Sequence, residues 1–155
     1  MNNESIDLYW HAFMATLPLD SPYHYKPYVA RRFGDTPEQA EKLGQLIMKG
    51  VKTGTCSALW EWEAEGNTIP KPGMITIVLN RKQMPVCVIE NIEVFVCRFN
   101  AIDEEFAQAE GEGDLSLAYW REAHMRHFSR TLPKIGKDFR EDMPLVCERF
   151  KVIYK

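Results

Sequence analysis

Apolar residues at Ile6, Tyr9, Trp10, Phe13, Met14 and Leu17 recur at the three- and four-residue steps of a one-faced helix. Pro18, Pro22 and Pro27 then break the regularity, and the stretch carrying Tyr23, His24, Tyr25, Lys26 and Tyr28 reads as a decorated loop. A second helix starts at Thr36-Pro37-Glu38-Gln39, where Thr36 can cap, Pro37 suits the first helical position and Gln39 can close a capping box. Ala40, Leu43, Leu46 and Ile47 carry it to Gly50, a natural stop. Beyond Gly50 the period changes. Thr53 to Trp62 reads as extended, with Trp60 and Trp62 on one face and Glu61 on the other. Asn67 to Gly73 holds two prolines and reads as a loop, Met74 to Leu79 as a short strand, and Asn80 to Gln83 as a turn. Pro85 to Phe99 is rich in Val and Ile and too long for a flat strand, which predicts two strands or one bent near Glu90-Asn91. Asp103 to Glu110 reads as a short acidic helix and Leu115 to Leu132 as a longer one. Asp142 to Tyr154 ends in a strand with Val146, Phe150, Val152 and Tyr154 on a common parity.

Short strands punctuated by turns, with helices grouped outside them, predict an α+β fold. A small, mostly antiparallel barrel flanked by helices fits the order best. The strand–helix alternation of a Rossmann sheet is missing, as are a GxGxxG and a Walker loop. The first 29 residues read as a helix and aromatic loop packed on a domain spanning 30–155.

The chain has 155 residues, 45 % of them hydrophobic and 26 % charged, which suits one globular domain rather than a disordered or collagenous chain. Its formal charge of −3 argues against coating nucleic acid by bulk charge but leaves room for a local basic groove. No apolar run approaches the roughly 20 residues of a membrane span. Met1-Asn2-Asn3-Glu4 does not resemble the start of a secretory leader. Cys56, Cys87, Cys97 and Cys147 form no CxxC pair and no zinc spacing, so they read as free thiols in a reducing cytoplasm, with Cys87 and Cys147 in apolar strands.

Charge is uneven. Asp103 to Asp114 is acidic, whereas Arg121, Arg126, Arg130, Lys134, Lys137 and Arg140 crowd the stretch that also holds His124, His127 and Phe128. Tyr23 to Phe33 mixes Lys26, Arg31 and Arg32 with aromatics. Cations for the backbone and rings for the bases are what single-stranded RNA binding asks for, while two solvated faces with inward aromatics would look the same. Gly50-Val51-Lys52-Thr53-Gly54-Thr55 joins a helix end to a strand. A desolvated Lys52 there could act as a base and Thr55 as the nucleophile it activates; a plain polar turn is the alternative. Glu110-Gly111-Glu112-Gly113-Asp114 lets a carboxylate project from a bent loop, or is a linker in which Asp114 caps the next helix. Trp120, Ala123, His124, His127 and Phe128 share one helical stripe, and an HxxH pair without a third ligand is weak evidence for a metal.

Taken in order, the segments Phe33-Gly34-Asp35-Thr36-Pro37, Gly50 to Thr55, Leu59 to Glu63, Pro85 to Ile89, Ala109 to Asp114, Tyr119 to Arg121, Phe128 to Arg130 and Met143 to Phe150 resemble an ASCH-domain protein of the PUA-like superfamily. That resemblance implies a pseudo-barrel with a cleft lined by the Lys/Thr turn and the Glu loop, and RNA or a modified nucleoside as partner. A related short branch resembles an amidohydrolase of N4-acetylcytidine, whose Lys, Thr and Glu pattern matches Lys52, Thr55 and Glu112. It needs no cofactor. Another branch implies a ribonuclease assisted by a divalent cation, held here by Glu112 with Glu110 or Asp114. A third reading is a non-catalytic RNA-binding module. Arg32, Phe33, Trp60, Glu61, Trp120, His124, Ser129 and Arg130 are the expected substrate-binding residues, and exposed aromatics could equally serve a homo-oligomer. The short amidohydrolases lack the N-terminal helix and the Tyr23 to Phe33 loop.

Overall fold

The computed structural model describes residues 3–155; Met1 and Asn2, part of the segment weighed above as a leader, lie outside the described residues. In chain order the elements are α1 (Asn3–Ala15), β1 (Tyr28–Arg32), α2 (Pro37–Met48), β2 (Gly54–Ala58), α3 (Leu59–Glu65), β3 (Ile75–Leu79), β4 (Pro85–Arg98), α4 (Glu104–Glu110), α5 (Leu117–Thr131) and β5 (Pro144–Tyr154). The strands form one sheet in the order β1-β3-β4-β5-β2. The β3/β4 and β2/β5 pairs are antiparallel and β1 joins β3 in parallel. The expected α+β class is what the chain adopts. Among the described residues no helix is long and apolar enough to cross a membrane.

The chain divides into two compact units. The first comprises Met1–Gly50, Gly73–Asn91 and Phe150–Lys155. In it, Ile6, Trp10 and Phe13 of α1 pack on Ile75, Ile77 and Val88. Leu43 and Ile47 of α2 instead join Val78, Cys87 and Ile89. Neighbouring β3 residues thus enter different clusters, and all five positions of the strand are buried. A strand covered on both faces is uniformly apolar, which is why Ile75–Leu79 shows no alternation. Thr36 accepts from the Gln39 amide at 3.1 Å, as expected of the cap. The Gln39 side chain accepts from Asp35 N at 2.8 Å, so the box closes one residue further out.

The second unit comprises Val51–Pro72 and Ile92–Arg149. Its core gathers Phe99, Phe106, Trp120, Phe128, Leu132 and Leu145.

Three local expectations need correction. Tyr28–Arg32 is a strand rather than the continuation of a loop, because its backbone pairs with β3 from Tyr28↔Ile75 to Arg32↔Leu79. The extended segment ends at Ala58, where pairing with β5 stops, and Leu59–Glu65 is helical. Leu, Glu and Ala favour a helix there, and Gly66 supplies the left-handed stop with φ 68°. Trp60 and Trp62 therefore do not share a strand face: Trp60 packs on the unit's core and Trp62 Nε1 donates to Ser57 Oγ at 2.8 Å. Finally, Ser116 rather than Asp114 caps α5, its Oγ accepting from Tyr119 N at 3.0 Å, while Asp114 accepts from Ser116 N. Pro85–Arg98 resolves as one strand of 14 residues.

Phe13 is 2 % exposed and stacks on Tyr154 at 5.0 Å. Phe13→Ala should destabilise the protein by about 3–5 kcal/mol in urea titrations, since the α1 contact leaves a cavity over β3.

Candidate functional site

Lys52 follows the end of α2 and precedes β2, and it is 2 % exposed. Lysine is rarely buried unless paired, because removing an ammonium from water costs several kcal/mol. Here Nζ donates to Gly54 O at 2.8 Å, Glu110 O at 3.3 Å and Glu110 Oε2 at 2.7 Å. An ammonium has three N–H donors, and these three acceptors use all of them.

Glu110 reaches Lys52 because of where α4 stops. It is the last residue of that helix, and Gly111 follows at φ 74°. A Cβ on Gly111 would lie 2.8 Å from Val51 O and 2.9 Å from Lys52 Cα. Only glycine therefore lets the helix end settle on the Val51–Lys52 backbone. Thr53 N donates to Ala109 O at 2.7 Å and fastens the same contact. Gly54 is similarly close-packed, its would-be Cβ 3.3 Å from Ala109 Cβ.

Burial by itself would raise the Glu110 pKa, but the Lys52 ammonium, then His124, and hydrogen bonds from Lys52 and Cys56 outweigh it and hold the carboxyl below its ordinary value. The same burial, with the charge of Glu110 next, pushes the Cys56 thiol well up, so Cys56 stays protonated. Cys56 and Cys147 are opposite one another on β2 and β5, both against the core. Thr55 is opposite Glu148, on the other face of the strand. The β2 side chain that meets Glu110 is thus Cys56.

His124 completes the group from α5. Its ring stacks on Trp120 at 4.3 Å and 19°, and its Nδ1 lies 2.9 Å from Trp120 O. Nε2 faces Glu110 Oε1 at 3.6 Å. Cys56, Glu110 and His124 present ligand atoms within 4.8 Å of one another, the one such trio of potential metal ligands among the described residues.

The structure thus brings together Lys52, His124 and Trp120 from the sequence-derived set and adds Glu110 and Cys56. Glu112 is half-buried past the Gly111 turn, and the ion-pair partner of Lys52 is Glu110. Trp60 and Glu61 are half-buried on α3, with the Lys137 ammonium 5.6 Å from the Trp60 ring centre. Ser129 and Arg130 are exposed on α5. Arg32 and Phe33 belong to the first unit, where Phe33 is buried beneath the Arg31 guanidinium and beside Phe150. Strand parity around Gly54 and the helix-stopping Gly111 were the signals available for Cys56 and Glu110. All four cysteines are free, and Cys87 and Cys147 are buried as expected.

Gly111→Ala should destabilise the protein by about 2–4 kcal/mol, combining left-handed strain with a backbone clash. Gly50 also has positive φ, 78°, yet a Cβ there meets nothing within 4 Å. Gly50→Ala should therefore lose only the strain component, a contrast that urea melts of the two variants would read directly.

Relatives share this architecture. The ASCH-domain family profile matches residues 29–154. A crystal structure of an ASCH domain from Lactobacillus crispatus JV V101 superposes with TM-score 0.93 at 36 % identity, covering 98 % of this chain and 96 % of that one. The crystal structure of protein EF3133 from Enterococcus faecalis V583 gives 0.85, also at 36 % identity, covering 97 % and 89 %. No curated protein matches. The profile takes in β1 to β5 and the whole Lys52–Glu110 corner, and the two folds agree nearly end to end, so the chain belongs to the ASCH-domain family.

Proposed function

We propose that this ASCH protein binds RNA or a modified nucleoside and hydrolyses an N-acyl group from the base, an N4-acetylcytidine-type amidohydrolysis centred on Lys52 and Glu110. The observation that carries this reading is the buried ion pair, 2.7 Å across, with side chains only 1 % and 3 % exposed. Nζ can act as a base only after passing a proton to Glu110 Oε2, a move that runs against the lowered carboxyl and that substrate binding must drive. The pair is then a proton store. The Lys52 amine takes the proton of Thr55 Oγ1 as that oxygen attacks the acyl carbon. The carbon–nitrogen bond breaks, and the departing exocyclic amine takes the proton held by Glu110. The Glu110 carboxylate then deprotonates water, the hydroxide attacks the acyl carbon, and Lys52 returns a proton to the Thr55 oxygen as the carboxylic acid leaves. This sequence asks Nζ to exchange one of its three present acceptors for Thr55, since none of them is that hydroxyl, and asks the Thr55 side chain, on the strand face opposite Cys56, to turn toward it.

Glu110 takes the acid role that the family resemblance gives to Glu112, and Glu112 is left to face the substrate. The exposed Arg121, Arg126 and Arg130 on α5 suit contacts to an RNA backbone. Phosphate chemistry at Lys52 is less well supported. It would equally require Nζ to give up one of its three protein acceptors, and it leaves the Thr55 hydroxyl unused.

Mass-resolved chromatography of products from N4-acetylcytidine and from a short single-stranded RNA, each with and without EDTA, tests the proposal. The expected result is cytidine release indifferent to EDTA, reduced by about 10²-fold or more in Thr55→Val and in Glu110→Gln, and only mildly in Glu112→Gln. RNA fragments that persist in Thr55→Val would overturn the amidohydrolase assignment. Unchanged turnover in Glu110→Gln with loss in Glu112→Gln would return the acid role to Glu112.

A further inference from the structure

Glu110 is used on one side only. Its Oε2 is held by Lys52, whereas Oε1 is buried and receives no conventional N–H or O–H hydrogen bond. The nearest groups to that oxygen are the weak thiol donor of Cys56 and His124 Nε2 at 3.6 Å, beyond hydrogen-bond range. A buried carboxylate oxygen left this way is expensive unless something cationic completes it. The orientation of His124 sharpens the point. Nδ1 lies 2.9 Å from the Trp120 carbonyl, which can only accept, so Nδ1 carries a proton. Nε2 is thus the ring nitrogen turned toward Glu110 Oε1, placed to share a cation with it. A backbone carbonyl on the far nitrogen is also how ligating histidines are held.

We infer that Cys56 Sγ, Glu110 Oε1 and His124 Nε2 form a three-ligand site for a borderline transition-metal ion of the Zn²⁺ class. Mixed sulfur, nitrogen and oxygen donors select Zn²⁺ over Mg²⁺ or Ca²⁺, which take oxygen ligands. Bonds of about 2.0–2.3 Å put tetrahedral ligand atoms roughly 3.3–3.8 Å apart. The Glu110–His124 separation of 3.6 Å already meets this, and the trio lies within 4.8 Å throughout, so a modest rotation of the thiol closes it. On binding, the Cys56 S–H bond breaks, its proton leaves to solvent, and the sulfur–metal bond forms. Lys52 keeps Oε2 and needs no rearrangement. Three protein ligands leave a fourth position for water, as in sites that are not purely structural. Sequence spacing hides the trio because its members come from β2, α4 and α5. The inference goes beyond the amidohydrolase reading and shares Glu110 with it, but rests on the geometry of Oε1 and not on any turnover.

Chelator-stripped full-length protein would be titrated with Co²⁺, read by thiolate-to-cobalt charge-transfer absorption, and with Zn²⁺ in competition with a chromogenic chelator. The expected result is one ion per chain with a sulfur ligand. Cys56→Ser should abolish the charge-transfer band, and both Cys56→Ser and His124→Gln should weaken Zn²⁺ by more than the roughly 10–100-fold that loss of an outer-shell partner costs. Circular dichroism would establish that both variants are folded, and Cys97→Ser serves as a thiol control expected to bind as the parent does. Absence of a charge-transfer band in the parent, Zn²⁺ affinity unchanged in both variants, or loss of the band in Cys97→Ser instead would overturn the site. None of these readouts uses turnover, so a protein without amidohydrolase activity can still pass and an active one can still fail.

Discussion

An ammonium group taken out of water must find a carboxylate and enough acceptors, or it will not stay charged. That requirement at Lys52 explains more of the second unit than any other single contact. It accounts for the Gly54 carbonyl turned toward Nζ and for α4 ending at Glu110. It accounts equally for a glycine at 111, where any side chain would strike the Val51–Lys52 backbone. The Thr53–Ala109 hydrogen bond holds the two segments at the distance the ion pair needs. The buried Lys52 adds to that contact a charge requirement that only a carboxylate at this point of the acidic loop meets.

The pair also divides Glu110 into two unequal oxygens. One is neutralised by Lys52, and the other faces a histidine and a thiol. A carboxylate placed this way couples whatever happens at its open side to the protonation of the lysine behind it. The proposed proton storage and the proposed capture of a borderline metal ion would use different sides of the same group. Both rest on one fact of geometry: a helix C-terminus delivers a carboxylate into the core rather than to solvent.

The two helices of the first unit and the apolar β3 were legible because their periods and caps are local properties of the chain. Tyr28–Arg32 was not, since its strand character depends on pairing with residues 75–79, far along the sequence. Leu59–Glu65 misled for a related reason: two tryptophans suggest a strand, but the sheet partner ends at Leu145 and local helix preference then prevails. At the site, the Lys/Thr turn and the glycine-flanked acids drew attention on sequence grounds. Choosing between Glu110 and Glu112 was beyond the sequence, because the choice is made by where the left-handed residue falls and which carboxylate precedes it. Cys56 was read as an ordinary thiol, as its neighbours on α4 and α5 are more than 50 residues away.

The coupling between Lys52 and Glu110 is therefore the quantity to measure. Urea denaturation of the parent, Lys52→Met, Glu110→Gln and the double variant forms a thermodynamic cycle. Each single change strands a buried charge or its partner and should cost about 3–5 kcal/mol. The double variant should cost less than the sum by about 2 kcal/mol or more, within the range for residues in direct contact. Additivity to within about 0.5 kcal/mol would mean that the two groups do not depend on each other, and the account of the second unit built on their pairing would be wrong.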